Sequence, residues 1–252
     1  MKTFKSYTLT IITCLLISNL LIANTIEKNW TSILKETVTS GTKDSIPLNF
    51  FNYTKLQKVP RLSTLFDQII IEIESFKTDT LKTEQDKLAF WINAYNIGAV
   101  KMIINNYPLK SIKDQSQFLN SVWDQKILTI EKQAYSLRHI EHKILRKMNE
   151  PLIHFAIVCA SVSCPDIRPE AYTAKKLEKQ LNSQLRQFLG NEKKGFLIED
   201  HKLNISKIFS WFRKDFDTKG GVKSFLSKTL GLGDLTAYDI DYLDYNWELN
   251  EQ

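Results

Sequence analysis

The residues in this chain with the clearest claim to chemistry are two cysteines, a histidine and a glutamate. Cys159 and Cys164 lie in the stretch HFAIVCASVSCPDIR, residues 154–168. A thiol becomes a nucleophile only as the thiolate, so it needs a base or a positive field near neutral pH. Cys159 is the candidate nucleophile and His142 the candidate general base. Glu141, Asn93 or Asn96 are candidates to orient the imidazole. Cysteine, histidine and an amide or acid form the usual thiol-hydrolase set. Cys164 is open to three uses: nucleophile, resolving thiol, or half of a disulfide closed across the turn if the Cα atoms come within about 7 Å. Asn96, Ser163, Arg168 and Trp91 are candidates to hold a substrate, with Arg168 suited to a carboxylate or phosphate and Ser163 to an oxyanion.

Each of these residues also has a plain structural use. Free cysteine is among the most buried residue types. The two asparagines can clamp helix against sheet, Ser163 can satisfy turn backbone, and Arg168 can pair with Asp166 or Glu170. Glu141 can pair with Arg146 or Arg138. Trp211, Phe212 and Trp247 read most simply as core packing. His154 is a poor base for Cys159. Five residues along one strand would put the two on opposite faces, roughly 16 Å apart. His139 and His142 share a helix face, but their spacing matches no standard zinc pattern. No metal and no cofactor is expected.

Several elements must position these side chains. Phe155 to Cys159 is an apolar run long enough for one buried strand, broken by the small-residue turn before Pro165, which disfavours helix at Cys164. Helix resumes beyond it, as a long amphipathic element over residues 173–189 with Leu177, Leu181, Leu185 and Phe188 on one side. Residues 84–107 read as a helix apolar most of the way round, hence central, interrupted by Asn93 and Asn96. Ser63 can cap a helix whose apolar face is Leu65, Phe66, Ile69, Ile70 and Ile73. Hairpins are expected at 127–137 and 196–205, and Ser136 can cap the helix that bears Glu141 and His142. Those two point about 100° apart on an α-helix, so they should not both face one small pocket. Residues 27–45 read as a helix and then a polar linker, and 240–249 as an extended aromatic tail. The whole is a helix-dominated α+β single domain over residues 26–252, with a small, mainly antiparallel sheet.

Residues 1–25 carry Lys2 and Lys5 followed by the uncharged run TLTIITCLLISNLLIA, the pattern of a secretory signal peptide. Cys14 falls inside it and would leave with it, and the mature chain would be periplasmic or secreted, with no membrane anchor. Without Lys2 and Lys5, 32 basic side chains face 28 acidic ones, a net of +4. The basic residues are interleaved with acids, which argues against a nucleic-acid partner. The oligomeric state is not legible.

Several short motifs in order resemble the DUF547 domain proteins. They are Ala89-Phe90-Trp91-Ile92-Asn93-Ala94-Tyr95-Asn96, Ile140-Glu141-His142 with Leu145-Arg146, and Phe155-Ala156 with Cys159, Ser163-Cys164-Pro165 and Arg168. Tyr172-Thr173, Ile208-Phe209 with Trp211, and Tyr245-Asn246-Trp247 with Leu249-Asn250 complete the set. The resemblance covers about residues 46–250 and carries no assigned activity. In the family's plant members serine stands at the place of Cys164, which implies that Cys164 is the more replaceable thiol and that a disulfide is not obligatory. Two expectations follow. One is an exported thiol hydrolase or acyltransferase acting on an amide or peptide of the cell envelope. The other is a non-catalytic binding module whose polar residues are clamps.

Overall fold

The computed structural model describes residues 22–115 and 121–251. The expected signal peptide therefore lies almost entirely outside the described residues. Only 22–25 fall within them, where they open helix α1, residues 22–37. Among the described residues no helix is long and apolar enough to cross a membrane.

Helix α4, Glu84–Ile104, is the centre. Thr83 and Asp86 close a capping box at its start, satisfying two free backbone N–H groups. Beyond the first turn nearly every side chain is buried, from Leu88 to Ile103. Gly98 is needed where a hairpin crosses: a Cβ there would lie 3.2 Å from both Leu128 Cδ1 and Leu137 Cδ2. That hairpin is β3, Lys126–Ile130, with β4, Gln133–Ser136, paired antiparallel. Helix α3, Pro60–Ser75, buries Leu62, Phe66, Ile69 and Ile73 against the same core. Its start differs from the Ser63 expectation. Pro60, with its φ already fixed for a helix, occupies the first turn after Val59, and Ser63 lies inside, its hydroxyl donating to Pro60 O.

Two more stretches depart from the sequence reading. Residues 38–45 are not a linker. Strand β1, Val38–Lys43, pairs antiparallel with β2, Ile46–Phe51. The turn Asp44-Ser45 has positive φ at both positions, the geometry that matches strand twist in a tight hairpin. Residues 155–159 are not a strand. Pro151 starts a 3-10 turn, Pro151–Phe155, which Glu150 caps through Leu152 N at 3.0 Å. The backbone beyond it finds an amide side chain instead of a neighbouring strand. Asn96 Nδ2 donates to Ala156 O at 3.0 Å and its Oδ1 accepts from Val158 N at 2.9 Å. Beyond Pro165 the chain stays irregular until a 3-10 turn at Ala174–Lys176 leads into α6, Leu177–Leu189, the amphipathic helix expected over residues 173–189.

After two short helices, α2, Tyr53–Lys58, and α5, Leu137–His139, the remaining elements form the second half. Strands β5, Phe196–Glu199, and β6, Lys202–Ile205, make the expected hairpin, and β7, Asp239–Tyr242, adds in parallel to β6. Helices α7, Ile208–Trp211, α8, Arg213–Asp217, and α9, Gly221–Leu230, pack on it. Their shared core is a cage of aromatic rings around Phe155, which touches Phe188, Phe209, Phe216 and Phe225. Leu152 packs against both this core and the larger one around α4. The protein is a helix-dominated α+β fold, its strands held in three small, mainly antiparallel sheets.

Candidate functional site

Cys159 sits where the irregular segment turns sharply. The next residue, Ala160, has φ +58, a left-handed conformation that an L side chain adopts only under constraint. The constraint comes from both sides of the turn. On one side the end of the chain runs antiparallel to it. Val162 N donates to Glu248 O at 2.9 Å, Asn250 N to Ala160 O at 3.0 Å, and Ser163 N to Asn246 O at 3.2 Å. On the other side the ammonium of Lys194, fully buried, donates to Cys164 O at 3.0 Å, Val162 O at 3.3 Å and Asp166 Oδ1 at 2.7 Å. All three ammonium protons are used. A buried charge is tolerable only when paired and hydrogen-bonded in this way.

The half-buried sulfur of Cys159 opens onto a cavity of about 310 Å³. It lies 3.1 Å from Ser161 Oγ and 3.3 Å from Tyr245 Oη. Beside it, Cys164 Sγ accepts from Cys159 N at 2.8 Å. Burial pushes the Cys159 thiol up, but hydrogen bonds from the side chains of Cys164, Ser161 and Tyr245 outweigh it and bring the pKa from 9.0 down to about 7. Cys164 and Tyr245 move the other way, pushed well up by burial and by the neighbouring Cys159, so they stay protonated and remain donors. Both cysteines are free thiols.

Ser136 caps α5 through His139 N at 3.1 Å, and Glu141 and His142 follow in a π turn, Ile140–Ile144. Such turns are wider than α and recur at functional sites. Here Glu141 and His142 both line the cavity, against the expectation drawn from α-helical geometry. Glu141 is not a surface ion-pair partner. Arg138 pairs with Asp124 at 2.7 Å and Arg146 with Asp215 at 2.6 Å. The Glu141 carboxyl is buried, shares a hydrogen bond with Tyr95, and has its pKa raised to about 7 by burial, with the Cys159 charge adding and the two arginines opposing.

His142 shares the cavity with Cys159 but makes no hydrogen bond to it. Its Nδ1 lies 2.7 Å from Arg146 Nη1. Guanidinium has no acceptor, so the Nδ1 lone pair is occupied and the neutral ring carries its proton on Nε2. Burial and then the Arg146 and Arg138 charges depress its pKa, which keeps the ring neutral. A ring in that tautomer donates. It has no free lone pair with which to take a thiol proton.

His154 lines the same cavity, which the strand argument had excluded. Its Nε2 lies 2.7 Å from Asp215 Oδ2, its ring stacks on Phe212 at 4.0 Å, and its buried Nδ1 has no partner among the described residues. Asp215 also takes a two-pronged contact from Arg146 at 2.6 and 2.7 Å. Burial acts to raise the Asp215 pKa, but the bonds from His154 and Arg146 hold it well below the ordinary carboxylate value. His142, Arg146, Asp215 and His154 thus form one connected chain, and its two imidazoles line the cavity. Much of the rest of the wall is aromatic, beside Cys164, Ile157, Pro165, Ile208 and Arg138. Trp211, 46% exposed, stacks on Trp247 at 5.7 Å, and Trp123, Tyr245 and Phe212 line it with them, so these rings are not simply core.

Other candidates lie outside the cavity. Asn93 Nδ2 donates to Tyr172 O at 2.7 Å and its Oδ1 accepts from Tyr172 N at 2.9 Å, a buried clamp between α4 and the chain before α6. Asn96 holds the approach to Cys159, as described. Ser163 Oγ accepts from Asn246 N at 2.9 Å and so ties the turn to the chain end. Arg168 is bound to Glu170 at 2.8 Å and Gln184 at 3.2 Å. Trp91 is buried against Phe90 and Tyr135. His139 packs edge-on against Tyr135, and among the described residues no three metal-ligating side chains come together. Sequence reasoning missed Asp215, Lys194 and the Tyr245 hydroxyl. It also missed Arg146 as the partner of His142, although a separation of four on a helical turn puts them on one face.

Fold and cavity together define a helix-dominated α+β protein with a thiol-centred, aromatic-walled site. Residues 78–189 match the family described as "Protein of unknown function, DUF547". The match takes in α4, the Glu141–His142 turn and both cysteines, whereas Trp211, Phe212, Asp215, Tyr245 and Trp247 lie beyond it. No curated protein and no solved structure matches the chain.

Proposed function

We propose that the protein is an exported thiol-dependent hydrolase or acyltransferase with Cys159 as its nucleophile and an amide or peptide, in the cell envelope, as its substrate. The observation that carries this reading is the hydrogen-bonded, half-buried sulfur opening on the cavity. With a pKa of about 7, roughly half of Cys159 is thiolate at pH 7, against about one part in a hundred for a thiol near 9. No imidazole base is then needed to generate it. In this reading the thiolate adds to the acyl carbon and the C–N bond breaks. The departing amine takes the proton of the Glu141 carboxyl, whose pKa of about 7 suits an acid that must recover it. Water then attacks the thioester, gives its proton to the Glu141 carboxylate and releases the acid and the thiolate. His142, with Nε2–H, serves as a donor to the developing oxyanion, and not as the base.

The test is acylation of the full-length protein by 4-nitrophenyl acetate at pH 7.5, read by intact mass and peptide mapping. The expected result is one acetyl group on Cys159, removed by hydroxylamine and absent from Cys159→Ala. A native protein that takes no acetyl on Cys159, while its denatured thiols do, defeats the proposal. It would leave a second reading, a non-catalytic binding module, which the clamps made by Asn93, Asn96, Ser163 and Arg168 favour.

A further inference from the structure

Cys164 has no role in the acyl chemistry beyond one hydrogen bond, yet it is the side chain packed closest to the reactive turn. Its sulfur lies 2.8 Å from Cys159 N. Since an N–Cα bond is about 1.5 Å, that sulfur is within about 4.3 Å of Cys159 Cα. Adding roughly 2.8 Å from a cysteine Cα to its own sulfur bounds the Cα–Cα separation at about 7 Å, the outer limit of disulfide geometry. Both cysteines line the cavity, but Cys164 is only 4% exposed, whereas Cys159 is half-buried. Cys159 is the more open of the two to a small reagent, and Cys164 lies beside whatever forms on it.

We propose that the Cys159–Cys164 pair is a peroxide-modification site, in which Cys159 is oxidised first and Cys164 resolves it to an internal disulfide that blocks the nucleophile. The oxidant is a small hydroperoxide entering the cavity. The Cys159 thiolate attacks the distal peroxide oxygen, the O–O bond breaks, and the leaving alkoxide or hydroxide takes a proton from solvent. This gives Cys159 sulfenic acid and an alcohol or water. The Cys164 sulfur then attacks the sulfenic sulfur. The S–O bond breaks, the hydroxyl leaves with the Cys164 proton as water, and the S–S bond forms. The peroxide is reduced by two electrons and the two thiols are oxidised by two. Ser161 and Tyr245 hold the attacking sulfur in place but carry no electrons. The chain between the two cysteines is already folded back on itself, Cys164 N donating to Ser161 O at 3.1 Å, so the loop to be closed is preformed.

The inference rests on the thiolate reading of Cys159 and not on its acyl chemistry, and the two separate experimentally. The full-length protein is treated with hydrogen peroxide at pH 7.5, then blocked with iodoacetamide. The expected product has lost alkylation at both Cys159 and Cys164, is about 2 Da lighter, no longer takes acetyl from 4-nitrophenyl acetate, and recovers with dithiothreitol. Cys164→Ser should stop at a sulfenic acid that dimedone labels at residue 159, and Cys159→Ala should leave Cys164 alkylatable after the same treatment. Circular dichroism checks that both variants fold, and the wild-type result stands without them. Progression of Cys159 to the sulfinic acid with Cys164 still alkylatable overturns the resolving role while leaving the acyl proposal intact. A Cys159 inert to both peroxide and 4-nitrophenyl acetate overturns both.

Discussion

Replacing Glu141 with glutamine isolates what it means to keep a carboxyl in this cavity wall. The pKa of Glu141 is raised from 4.5 to about 7, chiefly by burial and further by the Cys159 charge, against the pull of Arg146 and Arg138. A folded-state value above the unfolded one means that the folded chain holds the extra proton between the two. The stability this represents is fully present below about pH 4.5 and is lost as pH rises through 7. At about 1.4 kcal/mol for each tenfold change in proton affinity, the loss amounts to about 3 kcal/mol. Glutamine keeps the shape and one acceptor for Tyr95 but never ionises. The unfolding free energy of Glu141→Gln minus that of the wild type should therefore climb by about 3 kcal/mol between about pH 4 and pH 8. It should start near zero or slightly negative and end in the variant's favour. Urea unfolding at intervals across that range, with both proteins in the same buffers, measures it. Because the Cys159 charge contributes, the climb should shrink in a Cys159→Ala background. Parallel profiles for variant and wild type would refute the argument that this carboxyl is held against its charge, and with it the assignment of Glu141 as the acid.

Tyr245→Phe removes the donor 3.3 Å from Cys159 Sγ. A hydrogen bond to a charged acceptor is worth about 1.5 kcal/mol, so the midpoint of iodoacetamide alkylation against pH should move up by about one pH unit with the circular dichroism spectrum unchanged. An unmoved midpoint would mean that Tyr245 does not tune the thiol. Asp215→Asn breaks the contacts to Arg146 and His154, whose loss should lower stability by about 2 kcal/mol at pH 7, less than for a fully buried pair because the Arg146 and Asp215 side chains keep 23% and 20% exposure. Since the folded Asp215 is held below its unfolded value, that difference should be full above about pH 4 and fade as pH falls further. A gap in unfolding free energy that persists undiminished at pH 3 would count against the carboxylate as its source.

Local features were legible because local physics decides them. Ser136 reads as a helix cap and caps one. The hairpins at 126–136 and 196–205 follow from alternation around a polar turn, and α4 is central because it has no polar face. The segment before Cys159 was misread for a reason equally physical. An apolar run of five residues is consistent with a strand only if another strand is there to pair with it, and periodicity cannot say whether the partner is a strand or an asparagine on a helix. Asn96 is that partner. The error then propagated. A strand would have carried His154 away from Cys159, whereas the 3-10 turn leaves both on the cavity. Cys159, Glu141 and His142, chosen from residue type and motif, all line the cavity. The part His142 could play was not legible, because a histidine's tautomer depends on which neighbour occupies its other nitrogen, and for His142 that neighbour is Arg146.

The cysteine turn also explains why the site depends on sequence far from it. A left-handed Ala160 is unfavourable by roughly 1–2 kcal/mol in isolation, and the bonds within residues 159–164 are reinforced from outside the turn. Lys194 holds the carbonyls on one side, and Ser163 and the backbone of 246–250 hold the other. The same chain end delivers Tyr245 to the sulfur and Trp247 to the cavity. Geometry and ionisation are therefore set together. Whatever seats the last residues against the turn both fixes the strained backbone and supplies a donor that brings the thiol into the neutral range. Under the proposed chemistry a nucleophile built this way would need no histidine base, in keeping with a cavity whose two imidazoles make no hydrogen bond to the sulfur.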